Sequence, residues 1–275
     1  MLSKNTLCSQ DRLVLFGFGL FETLLITEAG PLFVDIHWER MNRGADLLGL
    51  NLPDKDEWVK WVQTFINESP KGPFPYALRV TLSGGSPLAD LPSQVFLYKR
   101  AIPYTLAQTT LGIRLHLLTS PRNEHSPLVS IKSTNYLENI IAKEEAKRNG
   151  AEEGLWLNTK GNLAEGTMSN LFFMKDGTLH TPSLASGCLP GTRRQLILDL
   201  ATSLNMPTCE ALYPFSTLLT ADEIFMTNAL MGIMPVRQIN DISFPIAPLG
   251  SVNSGMRTLQ FAFNQLIKGP TSPLC

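Results

Sequence analysis

Ile131-Lys132-Ser133-Thr134-Asn135-Tyr136-Leu137 and, further on, Leu163-Ala164-Glu165-Gly166-Thr167-Met168-Ser169-Asn170-Leu171-Phe172 are the stretches whose reading decides this fold. The lysine follows an apolar run, Leu128-Val129-Ser130-Ile131, that reads as a strand, and it precedes a helical pattern. It is therefore expected at a strand end, facing a cleft. A partly buried lysine has a lowered pKa and serves as a Schiff-base nucleophile or a general base. The plain alternative is an exposed lysine, the commoner state of any single lysine. Glu165 lies between apolar residues and a small-residue turn. A carboxylate there suits the ring nitrogen of an aldehyde cofactor; the plain alternative is a solvated glutamate at a hairpin edge.

Working outward, 275 residues suffice for one large domain or two of ordinary size. Hydrophobic residues make up 44% and charged residues 17%, the balance of a globular protein with a packed interior. A net charge of −1 gives no global field for nucleic acid or an anionic membrane, so neither is expected as a partner. Cys8, Cys188, Cys209 and Cys275 show neither CxxC pairing nor metal-ligand spacing, which points to a reducing compartment and no metal. The N-terminal residues lack the apolar core of a signal peptide, and the run Leu13–Ile26 carries Glu22 and falls short of the ~20 residues of a membrane span. A soluble, cytoplasmic protein is expected.

Residues 13–35 read as strands, with 21–26 and 31–35 flanking the hairpin signal Thr27-Glu28-Ala29-Gly30. Helical spacing follows over His37–Leu50, and a second helix is predicted from Asp54, with Glu57 completing a capping box and Trp58, Trp61, Val62 and Phe65 facing the core. Strands are predicted at Tyr76–Leu82, Gln94–Tyr98 and Leu111–Thr119. Residues 101–110 show no period and offer the domain boundary, giving a smaller α/β domain at 1–104 and a larger one at 105–275 that carries Lys132. A helix over Asn135–Arg148 is predicted to turn Leu137, Ile140, Ile141 and Ala146 inward. Its charge order suits the helix dipole. Short strands follow at 155–158, 163–165 and 169–174. The helix opened by Leu189-Pro190-Gly191-Thr192-Arg193-Arg194 presents Leu196, Ile197, Leu200 and Leu204. Strands at 223–227 and 233–239 and a helix near 251–267, with Met256, Leu259 and Phe263 inward, complete an α/β (α+β) pattern of two lobes.

Three features suit an anion. The start of the helix at Leu189–Arg193 offers free backbone N–H groups, the connection Thr227-Asn228-Ala229-Leu230 offers further amides, and Arg40 offers a cation. Each also reads as an ordinary cap, turn or surface ion pair.

Taken in order, Phe16-Gly-Phe-Gly-Leu-Phe-Glu22, His37-x-x-Arg40, Lys132-x-x-Asn135-x-Leu137, Glu165-Gly-x-x-Ser-Asn170-Leu-Phe, Leu189-Pro-Gly-x-x-Arg194 and Asn228 through Pro235-Val236 resemble the class IV aminotransferase superfamily over essentially the whole chain. The resemblance implies the two-domain fold type IV of D-amino-acid and branched-chain aminotransferases, with pyridoxal 5′-phosphate as cofactor. It implies that Lys132 bonds the cofactor aldehyde and Glu165 contacts the pyridine nitrogen. Arg40 becomes a phosphate ligand, together with amides of Thr192 and Arg193 and those around Asn228 and Ala229. Tyr136 falls near the 3′-oxygen, one residue out of the branched-chain register. Arg193 and Ala229 stand where many relatives have threonine, which leaves phosphate binding there to backbone amides. A homodimer is also implied.

Within the superfamily, Asn228-Ala229-Leu230-Met231 with Met234-Pro235-Val236 looks most like the 4-amino-4-deoxychorismate lyases, PLP-dependent carbon–oxygen lyases that make 4-aminobenzoate and pyruvate in folate biosynthesis. The alternative is an aminotransferase acting on D-amino acids or branched-chain amino acids, favoured by Glu22, where some lyases carry threonine. A non-catalytic member of the fold is a third reading, opposed by the intact Lys132, Glu165 and Arg40. A nucleotide-binding loop at Leu189–Arg193 lacks both GxGxxG and GxxxxGK[ST]. The substrate's two carboxylates call for arginines: Arg79 first, with Phe21 beside the substrate, and Arg237 and Arg114 after it.

Overall fold

The turn at Thr27–Gly30 joins two antiparallel strands, Gly19–Thr27 (β1) and Gly30–Pro31 (β2), as the hairpin signal predicts. The computed structural model describes residues 7–69 and 72–268. They divide into two compact units: the described residues up to Pro103 with Ser130–Leu137, and Tyr104–Val129 with the described residues from Glu138 onward.

The first unit opens with a short helix, Arg12–Phe16 (α1), where strand is predicted. Asp11 accepts the Leu13 N–H at 2.8 Å, and Gly17, at φ 64°, stops the helix. Local capping outweighs the β-prone composition. After β2 the predicted strand 31–35 is also cut short. Phe33 adopts φ 55°, and the helix Val34–Leu48 (α2) begins beyond it. The helix Lys55–Glu68 (α3) starts at Asp54, which accepts the Glu57 N–H. Strands Tyr76–Ser83 (β3) and Val95–Arg100 (β4) complete an antiparallel sheet ordered β2-β1-β3-β4. The two-residue period of β1 sorts its faces. Leu20, Leu24 and Ile26 join Leu78, Val80 and Leu82 in a core with Met41, Ala45, Trp58 and Val62 from the helices.

Ser130–Leu137 belongs to this first unit, whereas the sequence reading assigns Lys132 to the second domain. The reason is backbone pairing. Phe21 donates its N–H to the Lys132 carbonyl, Thr134 donates to the Gly19 carbonyl, both at 2.9 Å, and Leu20 bridges Ser133. The run before Lys132 is a turn of 3-10 helix, Pro127–Ser130, and not the predicted strand.

The second unit begins with a helix inside the segment expected to lack structure, Leu106–Leu111 (α4), closed at its start by a reciprocal Thr105/Gln108 capping box. Then come strand Ile113–Leu117 (β5), helix Leu137–Arg148 (α5), strands Glu153–Leu157 (β6), Leu163–Gly166 (β7), Asn170–Lys175 (β8) and Thr178–Pro182 (β9), and helix Thr192–Ser203 (α6). Strands Thr208–Ala211 (β10), Glu223–Asn228 (β11), Gly232–Ile239 (β12) and Ile242–Ser243 (β13) and helix Gly255–Lys268 (α7) follow. The nine strands form one mixed sheet ordered β10-β9-β8-β11-β12-β5-β6-β7, with β13 on β12. The parallel pairs β5–β6 and β9–β10 are joined through α5 and α6, because parallel neighbours require a crossover. One face buries Leu155, Leu171, Phe173, Met226 and Met234. The other buries Phe172 and Phe225, stacked at 5.2 Å, against Ile197 and Leu198 of α6 and Met256, Leu259 and Phe263 of α7.

Helix α5 buries Ala146 as predicted but is otherwise turned about its axis. Leu137, Ile140 and Ile141 are exposed, while Asn139, Ala142 and Ala146 are buried. Ala142 packs with Leu118, Trp156 and Ala164, and Asn139 donates to the Thr167 carbonyl at 2.7 Å. Small residues let the helix approach the sheet. On α6, Leu204 is likewise exposed while Leu198 and Ala201 are buried. Among the described residues no helix is long and apolar enough to cross a membrane.

Candidate functional site

In the first unit, the odd-numbered face of β1 presents Phe21 to Lys132. The lysine Nζ lies 4.5 Å from the centroid of the Phe21 ring and 5.5 Å from that of Tyr136. Phe21 and Tyr136 meet edge to face at 5.2 Å. The Arg79 guanidinium lies over the same Phe21 ring at 3.7 Å, a contact favoured by the ring quadrupole, so one aromatic ring faces both the arginine and the Lys132 amine. Burial draws the Arg79 pKa below its ordinary value. Lys132, Tyr136, Phe21 and Arg79 thus come together. Gly17 makes room for this segment. A Cβ there would stand 3.2 Å from the Asn135 Cα, at a φ of +64° that favours glycine.

The other face of β1 carries Glu22, fully buried. Its two oxygens take Arg40 Nε and Nη2, each at 2.7 Å, and His37 Nδ1 approaches at 2.6 Å. Burial alone would raise the carboxyl pKa; the Arg40 charge, then the His37 charge and the hydrogen bonds of both, more than offset it and bring it to about 2. The spacing Glu22…His37-x-x-Arg40 is visible in the sequence, but only as landmarks. That the glutamate holds the arginine is a finding of the structure.

In the second unit, Glu165 on β7 is buried and accepts the Leu189 N–H at 2.9 Å. Arg122 Nη2 lies 3.3 Å from its other oxygen. Sequence reasoning missed Arg122, which sits in a polar turn segment that reads as solvent-facing. It is buried, pairs with Glu138 at 2.7 Å and lies 4.8 Å over the Trp156 ring. The neighbouring Cys188 thiol is pushed up to about 11, by burial first and then by the Glu165 charge, so it remains a neutral thiol.

The start of α6 has no side-chain cap. Gly191 is required there, because a Cβ would fall 1.9 Å from Asn170 Oδ1. Asn170 in turn donates to the Leu189 carbonyl at 2.9 Å. Thr192 and Arg193 are buried, and Arg193 Nη2 reaches the Ala229 carbonyl at 3.2 Å, tying α6 to the β11–β12 connection. In that connection, Asn228 Oδ1 accepts the N–H groups of Leu230 and Met231, each at 2.9 Å. Its Nδ2 donates to Tyr104 Oη at 2.8 Å and to the Met168 carbonyl at 3.1 Å. Asn228 reads as a phosphate-side residue from sequence; its side chain is fully engaged within the protein.

An uncapped, close-packed helix start and a buried carboxylate are what a phosphate group and a protonated ring nitrogen require. The residues of the second unit fit a phosphorylated pyridine cofactor. Among the described residues no cluster of His, Cys, Asp or Glu could hold a metal ion.

Residues 19–239 match the family model of class IV amino-transferases. The chain is 29% identical to the aminodeoxychorismate lyase of Bacillus subtilis (strain 168) over 242 residues, covering 85% of this chain and 82% of that one. It is 36% identical to the branched-chain-amino-acid aminotransferase of Escherichia coli (strain K12) over 145 residues, 53% of this chain and 46% of that one. Among solved structures it resembles a 4-amino-4-deoxychorismate lyase, described as putative, from Legionella pneumophila. The TM-score is 0.84 at 30% identity, covering 96% of this chain and 97% of that one.

Proposed function

The chain belongs to the class IV aminotransferase family, and from that premise we propose that it binds pyridoxal 5′-phosphate and cleaves 4-amino-4-deoxychorismate to 4-aminobenzoate and pyruvate. The observation that carries the choice of reaction is the stretch Asn228-Ala229-Leu230-Met231 with Met234-Pro235-Val236, which has the lyase pattern. The lyase relatives, similar over most of both chains, support it.

When bound, the cofactor supplies an aldehyde that bonds amines and a ring that withdraws electrons from the amine-bearing carbon. Lys132 would hold that aldehyde through its amine, and the same amine, when free, would serve as the general base for a proton on the amine-bearing carbon of the substrate. Glu165 would hold the ring nitrogen in its protonated form. Arg40, oriented by Glu22, and the amides at Thr192, Arg193 and Ala229 hold the phosphate. Tyr136, beside Lys132, would be available to the ring oxygen of the cofactor, and Arg79 would receive a substrate carboxylate. In the lyase reading the substrate loses a ring proton and its enolpyruvyl C–O bond, the enolpyruvate takes up a proton to become pyruvate, and the aromaticity gained by the ring makes the overall reaction downhill.

The second reading is a branched-chain or D-amino-acid transaminase, for which the higher local identity to the E. coli enzyme and Glu22 both speak. The same lysine serves it, because the two reactions diverge only after the proton leaves. Purified protein loaded with cofactor and given aminodeoxychorismate is expected to release 4-aminobenzoate and pyruvate with no keto acid added as co-substrate. Turnover of branched-chain or D-amino acids with 2-oxoglutarate, and no 4-aminobenzoate, would overturn the lyase reading.

A further inference from the structure

Asn228 makes four hydrogen bonds, and four is the capacity of an asparagine side chain: two lone pairs on Oδ1 and two hydrogens on Nδ2. The amide's orientation follows from its partners. Leu230 and Met231 offer only N–H groups, so the oxygen must face them. The Met168 carbonyl can only accept, so the nitrogen must face it. These partners come from three segments that are distant in sequence. Leu230 and Met231 are in the β11–β12 connection, Met168 is in the turn that follows Glu165, and Tyr104 is the first residue of the second unit.

We propose that Asn228 is a positioning residue, a four-way strut that sets the β11–β12 connection, the turn after Glu165 and the Tyr104 segment in one fixed arrangement. This rests on the functional reading above for its consequence, that the connection presents the Ala229 amide to a phosphate while Asn228 takes those of Leu230 and Met231. It does not rest on that reading for the strut itself. A turn held only by Oδ1 would be an ordinary local motif, for which aspartate serves as well as asparagine. The two donated bonds distinguish the strut, because they reach outside the turn. The Met168 turn is itself anchored from the far side. Buried Glu153 accepts from the Thr167 N–H at 3.2 Å and from Ser169 Oγ at 3.3 Å, and Asn139 donates to the Thr167 carbonyl at 2.7 Å. Asn228 therefore bonds to a turn that is already immobilised, so the position of the 228–231 connection is inherited from the segment that carries Glu165.

The test compares Asn228→Asp with wild type and with Tyr104→Phe. Aspartate keeps the acceptor for Leu230 and Met231 but loses both donors and sets a carboxylate oxygen against the Met168 carbonyl. Hydrogen exchange followed by mass spectrometry is expected to show faster exchange in Asn228→Asp in peptides spanning 166–170 and 104–111 as well as in 228–231. Tyr104→Phe should loosen 104–111 and leave the 166–170 peptide near wild type. In parallel, loss of two hydrogen bonds should weaken pyridoxal phosphate uptake by about tenfold while uptake of pyridoxal, which lacks the phosphate, changes little. Exchange in Asn228→Asp that matches wild type, or that changes only in 228–231, would overturn the strut. Equal losses for pyridoxal phosphate and pyridoxal would overturn its link to phosphate. If wild type takes up no pyridoxal phosphate while the three-segment exchange pattern appears, the strut stands and the proposed function falls.

Discussion

Each unit buries one carboxylate against an arginine, and the two pairs are built differently. Glu22 receives Arg40 through two bonds of 2.7 Å and His37 at 2.6 Å, inside a helix-covered sheet face. Glu165 receives a backbone N–H at 2.9 Å and stands 3.3 Å from Arg122, which also serves Glu138. The first geometry is that of a bidentate clamp, in which a buried charge is matched locally. The second is held by the backbone and shares its arginine, a setting in which the carboxylate can answer to another cation. The difference teaches that burial with an arginine partner does not itself mark a functional carboxylate; under the proposed function the matched pair at Glu22 is structural and the shared one at Glu165 serves the cofactor.

The comparison can be broken most sharply at Glu22. Glu22→Ala leaves Arg40 and His37 buried without their anion and is expected to cost about 4 kcal/mol in denaturant unfolding. A loss below about 1 kcal/mol would mean the clamp is not structural. The same clamp predicts a pH dependence. The Glu22 carboxyl is depressed from 4.5 to about 2, so its contribution is fully present above the unfolded value and is lost as pH falls through that window. The stability gap between wild type and Glu22→Gln should shrink by about 3 kcal/mol between pH 5 and pH 2. A constant gap would contradict the assignment. Glu165→Gln should show the opposite pattern. Turnover should fall about a hundredfold while stability moves by about 1 kcal/mol or less, since the amide still accepts from Leu189. The smallest effect is expected at Arg79. Replacing it with glutamine should raise KM about tenfold with kcat nearly unchanged, the signature of uniform substrate binding.

Much of the first unit was legible in the sequence because its signals are local: a hairpin turn, an Asp54 cap, and alternating strands whose side chains sort by a period of two. The error on helix α5 has a definite cause. Apolar periodicity identifies the largest hydrophobic side chains and misses close packing by small ones, so Leu137, Ile140 and Ile141 were expected inside with Ala146, where Asn139 and Ala142 lie beside it. Lys132, Glu165 and the start of α6 were legible as ordered landmarks. Their supports were not. Arg122 sits in a polar turn segment, and its partners Trp156, Glu138 and Glu165 come from separate elements. Asn228 could be recognised by its neighbours in sequence, but its bonds to Tyr104 and Met168 exist only once the second unit has folded.

The central claim is that Lys132 bonds the cofactor aldehyde. Borohydride reduction of the protein loaded with pyridoxal phosphate, followed by proteolysis and peptide mass measurement, tests it directly. The account predicts loss of the visible absorption band and one stable adduct, on the peptide containing Lys132, absent from Lys132→Ala. An adduct on another lysine, or an unchanged band in the variant, would contradict it.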